Sequence, residues 1–293
     1  MLAERRLGDR ADVDIRRVVR AFGDTIAVED RSSIASQSAV ADQVEDLLTC
    51  GSDGMALVSG PSGAGKSLLA ALLASRSPRM SCVPVVVENG LLDFDGLLLE
   101  MASQLSGSRQ LPAPHWGRYE RLALFKQCLI DHVIRTGRRL ALFLDDAEML
   151  APDTMAGVAS LCNLRSDGRS HVVPVLFGSP ETVSGLAACR PAASRTGSVL
   201  QLPGLGPDEL PRFVIDRLAS VDIEASRVFE LDALSNLHAL TRGLPRLVNS
   251  ACRSAARAAL TAGRRIRACD LAEACHRLPS GEQAASRVVA FGR

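Results

Sequence analysis

The chain of 293 residues has no apolar run approaching the roughly 18 residues that a membrane helix requires, so no membrane span is expected. Its opening stretch, MLAERRLGDR, carries charge with no apolar segment behind it, which argues against a secretory leader and for a cytoplasmic location. Aromatic residues make up only 3%, which disfavours base stacking as a mode of gripping single strands. None of the eight cysteines forms a C-x-x-C pair, and the five histidines do not join them at zinc-ligand spacing. Small buried apolar thiols in a reducing cytosol are therefore expected. A net charge of +1 gives no global pull toward nucleic acid or anionic membrane. Lysine is nearly absent: of 34 basic residues only Lys66 and Lys126 are lysines, so the position of each is informative.

Apolar residues make up 47%, enough for a buried core and too many for general disorder. Residues 1–35 are polar and arginine-rich, and read as an arm or a loosely docked helix around Ile15, Val18 and Val19. Val40, Val44, Leu47 and Leu48 then fall on one helical face, ended by Gly51. Beyond it, short apolar strands (55–59, 83–87, 140–144, 172–177 and 200–202) alternate with helices (67–75, 91–105, 119–136 and 154–164). Such alternation predicts an α/β core with a parallel sheet covered by helices on both faces. From about 207 the strands stop, and helices are expected over 208–219, 231–241, 245–262 and 268–277. The organisation read from this is an arm (1–35), an α/β core (36–206), a small all-α lid (207–278) and a flexible tail (279–293).

Residues 60–67 are Gly60, Pro61, Ser62, Gly63, Ala64, Gly65, Lys66 and Ser67, which fit G-x-x-x-x-G-K-[ST]. The glycines let the main chain curl so that successive N–H groups face phosphate oxygens, and the following helix adds the positive end of its dipole. Lys66 supplies a point charge for the β- and γ-phosphates, and the Ser67 hydroxyl is a Mg²⁺ ligand of the right type. The apolar strand before the loop and the helix after it are the context this chemistry needs.

A second signal lies about 80 residues on, where the apolar run Leu140–Leu144 ends in Asp145 and Asp146. Asp145 is the carboxylate expected to hold Mg²⁺, and Asp146 the one expected to polarise the attacking water. Glutamate is the usual residue at the second position. Its replacement by the shorter Asp146 points to slow hydrolysis, with Glu148 as a further candidate.

Taken together these segments resemble an AAA+ ATPase, and more narrowly the ExeA-like family typified by general secretion pathway protein A. The resemblance covers about 40–278. Besides GPSGAGKS it rests on GRRLALFLDDAEML (137–150), LCNL (161–164), PVLFGSPET (174–182) and GLPRLVNSAC (243–252). It implies ATP as the nucleotide, an oligomer, and three further roles. Ser179 would occupy the position that senses the γ-phosphate, where the family more often has Gln. Arg195 would be an arginine finger acting on a neighbouring subunit. Arg246 would be a second sensor carried by the lid. The family's N-terminal F-G-L-x-x-x-P-F segment is not recognisable in 1–35. Full-length secretion members continue into a membrane span and a peptidoglycan-binding domain; the sequence contains neither, so a motor without that delivery half is expected.

Three functions follow as expectations: an ATP-hydrolysing oligomeric switch acting on a protein partner, a DNA-associated ATPase of the transposition-helper type, and a nucleotide-binding scaffold with weak turnover. Non-specific DNA binding is suggested by residues 242–293, which hold ten arginines against Asp270, Glu273 and Glu282.

Overall fold

The computed structural model describes residues 13–23, 35–50, 54–108, 116–166 and 168–278. They form two compact units: one comprises 36–203, the other brings 13–23 together with 204–278.

The first unit is a five-stranded sheet in the order β2-β3-β6-β1-β7. The strands are β1 (Met55–Ser59), β2 (Cys82–Val87), β3 (Arg139–Leu144), β6 (Val172–Gly178) and β7 (Thr196–Gln201). All are paired in parallel, with Val87 beside Leu144, Leu144 beside Leu176, and Ser59 between Gly178 and Gln201. Every residue of β1 and β6 is buried, as expected of central strands covered on both faces. A two-stranded ribbon, β4 (Arg165–Ser166) and β5 (Arg169–Ser170), leads into β6.

The helices of this unit are α2 (Ala35–Cys50), α3 (Lys66–Arg76), α4 (Phe94–Ser106), α5 (Arg118–His132), α6 (Pro152–Leu161), α7 (Pro180–Ala188) and α8 (Arg190–Ala193). The core joins Leu97, Leu98 and Met101 of α4 and Phe125 and Leu129 of α5 to the strand side chains Val85, Leu142 and Leu176. Asp93 caps α4, accepting from the Gly96 N–H at 2.7 Å, so this helix starts at Phe94 rather than at Leu91.

The second unit is all-helical: α1 (Ile15–Ala21), α9 (Glu209–Ala219), α10 (Ala225–Val228), α11 (Leu237–Thr241), α12 (Pro245–Thr261) and α13 (Ala268–Arg277). Helix α1 is an integral part of it. Val18 and Phe22 are fully buried among Phe213, Phe229, Val248 and Cys252. Phe22 meets Phe229 edge-on, ring centres 6.4 Å apart, and the Arg217 guanidinium donates to the Gly23 carbonyl at 3.1 Å.

Four local expectations fail. Helices α7 and α8 occupy a stretch without an anticipated element, and β7 begins at Thr196 rather than 200. The helix expected over 231–241 is reduced to Leu237–Thr241, with turns before it, because Asp232, Ser235 and Asn236 favour turns over helix interiors. Burial of the thiols is also incomplete: all eight cysteines are free, but Cys50 and Cys269 are exposed. No helix among the described residues is long and apolar enough to cross a membrane.

Candidate phosphate-binding site

The parallel register brings the C-terminal ends of β1, β3 and β6 to one edge of the sheet. From β1 the chain crosses to β2 at the far edge, whereas from β6 it passes the other way to β7. The crevice at the ends of β1 and β6 is thus a topological switch point, the usual place for a ligand in an open α/β sheet. The loop 60–65 leaves β1 there.

Its main chain is curled by two left-handed glycines, Gly63 at φ +83° and Gly65 at φ +105°. A side chain at either would be strained, which explains why glycine stands at both. The turn is closed by the Ala64 N–H donating to the Pro61 carbonyl at 3.1 Å. The Gly60 N–H donates to the Gly178 carbonyl at 3.1 Å, tying the loop to the end of β6. A Cβ on Gly60 would lie 2.5 Å from the Leu202 carbonyl oxygen, so this position also needs glycine, for space.

Lys66 opens α3 and is buried, 8% exposed. Its Nζ donates to the carbonyls of Gly60 at 2.9 Å and Pro61 at 3.4 Å. The ammonium is therefore folded back over its own loop. Ser62 and Ser67 are exposed. Gln37 of α2, buried in the same helical stripe as Val40 and Val44, donates to the Ala64 carbonyl at 3.2 Å. Sequence reading missed Gln37, although a polar residue on an apolar stripe was the available signal.

Asp145, 6% exposed, follows β3, two strand spacings or about 10 Å from β1. Its N–H donates to the Val87 carbonyl at 2.9 Å, and its Oδ1 accepts from the Asp146 N–H at 3.0 Å. Asp146 is exposed and left-handed, at φ +48°, ψ 43°. Aspartate tolerates this region better than most residues, yet the conformation still costs on the order of 1 kcal/mol. The Met149 N–H holds it through the Asp146 carbonyl at 2.9 Å. Gly90 packs behind it so closely that a Cβ there would lie 2.3 Å from the Asp146 oxygen.

The Glu148 carboxylate does not lie loose beside Asp146. It accepts from the Ser179 N–H at 3.1 Å, linking the end of β3 to the end of β6. Glu181, not foreseen from the sequence, is hydrogen-bonded to the Ser179 side chain. That bond, with help from its own backbone N–H and the Lys66 charge, holds its carboxyl below the usual glutamate range. Buried Ser59 and Thr182, which both border Gly178, keep hydroxyl oxygens without a hydrogen-bond partner.

Residues 60–67, Asp145, Asp146 and Ser179 are thus gathered on one sheet edge. Arg195 is not: its carbonyl accepts from the Met55 N–H at 2.7 Å, at the opposite end of β1. Arg246 belongs to the other unit, exposed in the first turn of α12 behind Pro245.

The donor set suits a hydrated magnesium triphosphate: one ammonium, a hydroxyl and a carboxylate, all hard ligands or charges, beside a curl of amides. Among the described residues no group of three or more His, Cys, Asp or Glu side chains forms a self-sufficient metal site.

Comparison with known families bears on the same residues. The AAA domain family (AAA_22) matches residues 49–185, from the end of α2 into α7. The chain is 27% identical to general secretion pathway protein A of Aeromonas hydrophila over 215 residues, 72% of this chain. It spans only 38% of that relative's length. Among solved structures, Cdc6p from Pyrobaculum aerophilum matches with a TM-score of 0.70 at 20% identity, over 89% of this chain and 70% of that one. The Aeropyrum pernix ORC2 protein matches at TM-score 0.65 and 18% identity, over 89% and 72%. The RuvB Holliday junction branch migration motor of Thermotoga maritima matches at 0.51 and 20%, over 84% and 70%. The fold is that of the AAA+ P-loop ATPases.

Proposed function

We propose that this protein is an AAA+ ATPase that binds ATP with Mg²⁺ at residues 60–67 and hydrolyses it to ADP and phosphate, as an oligomeric switch acting on a macromolecular partner. The observation that carries this reading is the curl at Gly63 and Gly65, which opens α3 with Lys66 folded over the loop. Pro61 has no N–H and those of Gly60 and Ala64 already meet carbonyls, so the main-chain donors the loop turns toward phosphate oxygens are those of Gly63, Gly65, Lys66 and Ser67. Lys66 exchanges its bonds to the loop carbonyls for the β- and γ-phosphates.

Magnesium supplies neutralising charge at those phosphates, and Ser67 and Asp145 are the residues that would hold it. Asp146 orients the water whose oxygen bonds to the γ-phosphorus as the bond to the β–γ bridging oxygen breaks; it takes up the proton that water loses. The strained backbone at Asp146 fits such a role, since strain of this kind concentrates at working sites. An aspartate reaches one methylene less far than a glutamate, which makes turnover slow. With Glu148 engaged by the Ser179 N–H, its part is to position the 179 loop.

Ser179 and Arg246 are the two sensors of the γ-phosphate, and loss of that group releases Arg246 and lets the C-terminal unit act as a moving lid. Arg195, at the far end of β1 from its own loop, serves a neighbouring subunit. The likeness to a secretion-pathway protein favours a protein as partner. A second reading, a DNA-associated ATPase, is favoured by the arginine excess after residue 242 and by fold relatives whose structures hold DNA. A scaffold with weak turnover is the third, supported by Asp146.

Calorimetry with ATP and Mg²⁺, paired with a phosphate-release assay, tests the proposal. Lys66→Ala is expected to weaken nucleotide binding about 10- to 100-fold, the worth of charge-assisted hydrogen bonds, and to abolish release. Absence of binding by the wild type overturns the site. Binding without Lys66-dependent release leaves the scaffold reading in place of the enzyme.

A further inference from the structure

Helix α2 carries one polar residue where its inner stripe is otherwise apolar. Positions 37, 40, 41, 44 and 48 recur at helical spacing, and Val40, Ala41, Val44 and Leu48 are buried. Gln37 is buried with them, at 7% exposure. A buried amide is costly unless it is hydrogen-bonded, so its partner is informative. That partner is the Ala64 carbonyl of the glycine curl, at 3.2 Å. A carbonyl only accepts, so the side-chain nitrogen is the atom that faces it. Further along α2, Glu45 pairs with Arg76 of α3 at 2.9 Å. The helix is thus tied to both ends of the segment 64–76.

The Ala64 carbonyl lies just ahead of the α3 ladder, whose first bond runs from the Leu69 N–H to the Gly65 carbonyl at 2.9 Å. The peptide it belongs to leads into Gly65, which is left-handed at φ +105°. Glycine accepts φ of either sign at little steric cost, so sterics alone leave this peptide free to turn over. In a trans peptide the carbonyl and the N–H point in opposite directions. With the carbonyl held against α2, the Gly65 N–H is directed away from α2, and it donates to no other described residue.

We propose that Gln37 is a positioning residue for nucleotide binding: its side-chain amide locks the 64–65 peptide so that the Gly65 N–H stays turned toward phosphate. This rests on the reading of 60–67 as the phosphate-binding loop. A neutral amide suits the task. A carboxylate at 37 would set oxygen against the Ala64 oxygen, and an ammonium would bury a second positive charge beside the loop that Lys66 already covers. An apolar side chain would complete the stripe but leave the carbonyl without this donor.

The test compares Gln37→Met with the wild type. Methionine is unbranched, flexible and of similar length, so it fills the same space and removes the donor. In the nucleotide-free protein, NMR relaxation dispersion at the Gly65 amide reads the peptide directly. It should be quiet in the wild type and broadened by microsecond-to-millisecond exchange in the variant. Calorimetry with ADP and with ATP, each with Mg²⁺, should show both bound about 3- to 10-fold more weakly, the worth of one hydrogen bond. Melting is followed alongside, which separates loss of folded protein from loss of affinity. Gln43→Ala, at an exposed position of the same helix, should leave every reading at its wild-type value. A quiet Gly65 amide in Gln37→Met overturns the proposal, and so does an unchanged affinity. If the wild type binds neither nucleotide, the phosphate-loop reading has failed. If it binds both and Gln37→Met binds them equally well, only the role of Gln37 has.

Discussion

Asp270, in the C-terminal unit, is engaged through both of its carboxylate oxygens. Its two oxygens accept from the two terminal nitrogens of Arg264 at 2.6 and 2.7 Å, and it also accepts from the Arg267 N–H at 2.9 Å, capping α13. The Arg264 hydrogen bonds hold its carboxyl below the usual aspartate range. A depressed carboxyl binds protons less readily in the folded state than in the unfolded one. Its stabilisation is therefore complete above the unfolded aspartate value of about 3.9 and is lost as pH falls through the lower folded value. Asp270→Asn should cost about 1–3 kcal/mol at neutral pH, as expected for charge-assisted hydrogen bonds, and should make the remaining stability less dependent on acid below about pH 4. Urea unfolding across pH 3 to 7 measures both effects. The pair was not legible in the sequence, because Arg264 and Asp270 meet only once the turn into α13 is formed. The curl at 60–65 was legible residue by residue, since its glycine spacing is set by local main-chain geometry.

At the scale of elements, close approaches decide where helices rest. Helix α6 lies against α4 through Gly157, where a Cβ would come within 2.4–2.8 Å of the Phe94 ring. That ring cannot retreat without disturbing the first turn of α4. Gly157→Ala should therefore destabilise the first unit by about 1–3 kcal/mol, the usual cost of overpacking, despite alanine's better helix propensity. A lowered melting temperature with unchanged helical circular dichroism would match; a raised one would contradict it. The buried strands β1, β3 and β6 were readable as apolar runs, whereas α7 was not. It starts with Ser179 and Pro180, good signals for a helix N-terminus, but buries only Thr182 and Leu186 and so shows little periodicity. Glu181 and Glu148, which meet Ser179 from two elements, went unassigned or were given another part for that reason.

Across the whole molecule the chain makes its second compact unit from two distant segments. Phe22 and Val18 are fully buried beside α9 and α12, although a polar, arginine-rich composition around them suggested an arm. Three apolar residues on a short helix give too weak a pattern to announce burial; only the partner surface, nearly 200 residues on, makes them core. Phe22→Ala should remove about 3–5 kcal/mol from this unit, the cost of deleting a buried aromatic side chain. Hydrogen exchange is the direct measurement: amides of α12 should lose protection, while those of β1 and β3 in the other unit keep theirs. Equal loss in both units would show that the two unfold together.

The glycine curl at 60–65, the acidic strand end and the alternation of strands with helices were determined by the sequence itself, because each depends on residues close along the chain. Which residues share the sheet edge, that Arg195 stands at its opposite end, that Glu148 holds the Ser179 N–H, and that α1 completes a distant helical unit were decided by tertiary structure. Those facts follow from strand order and from packing between segments far apart in sequence, and no local pattern encodes either.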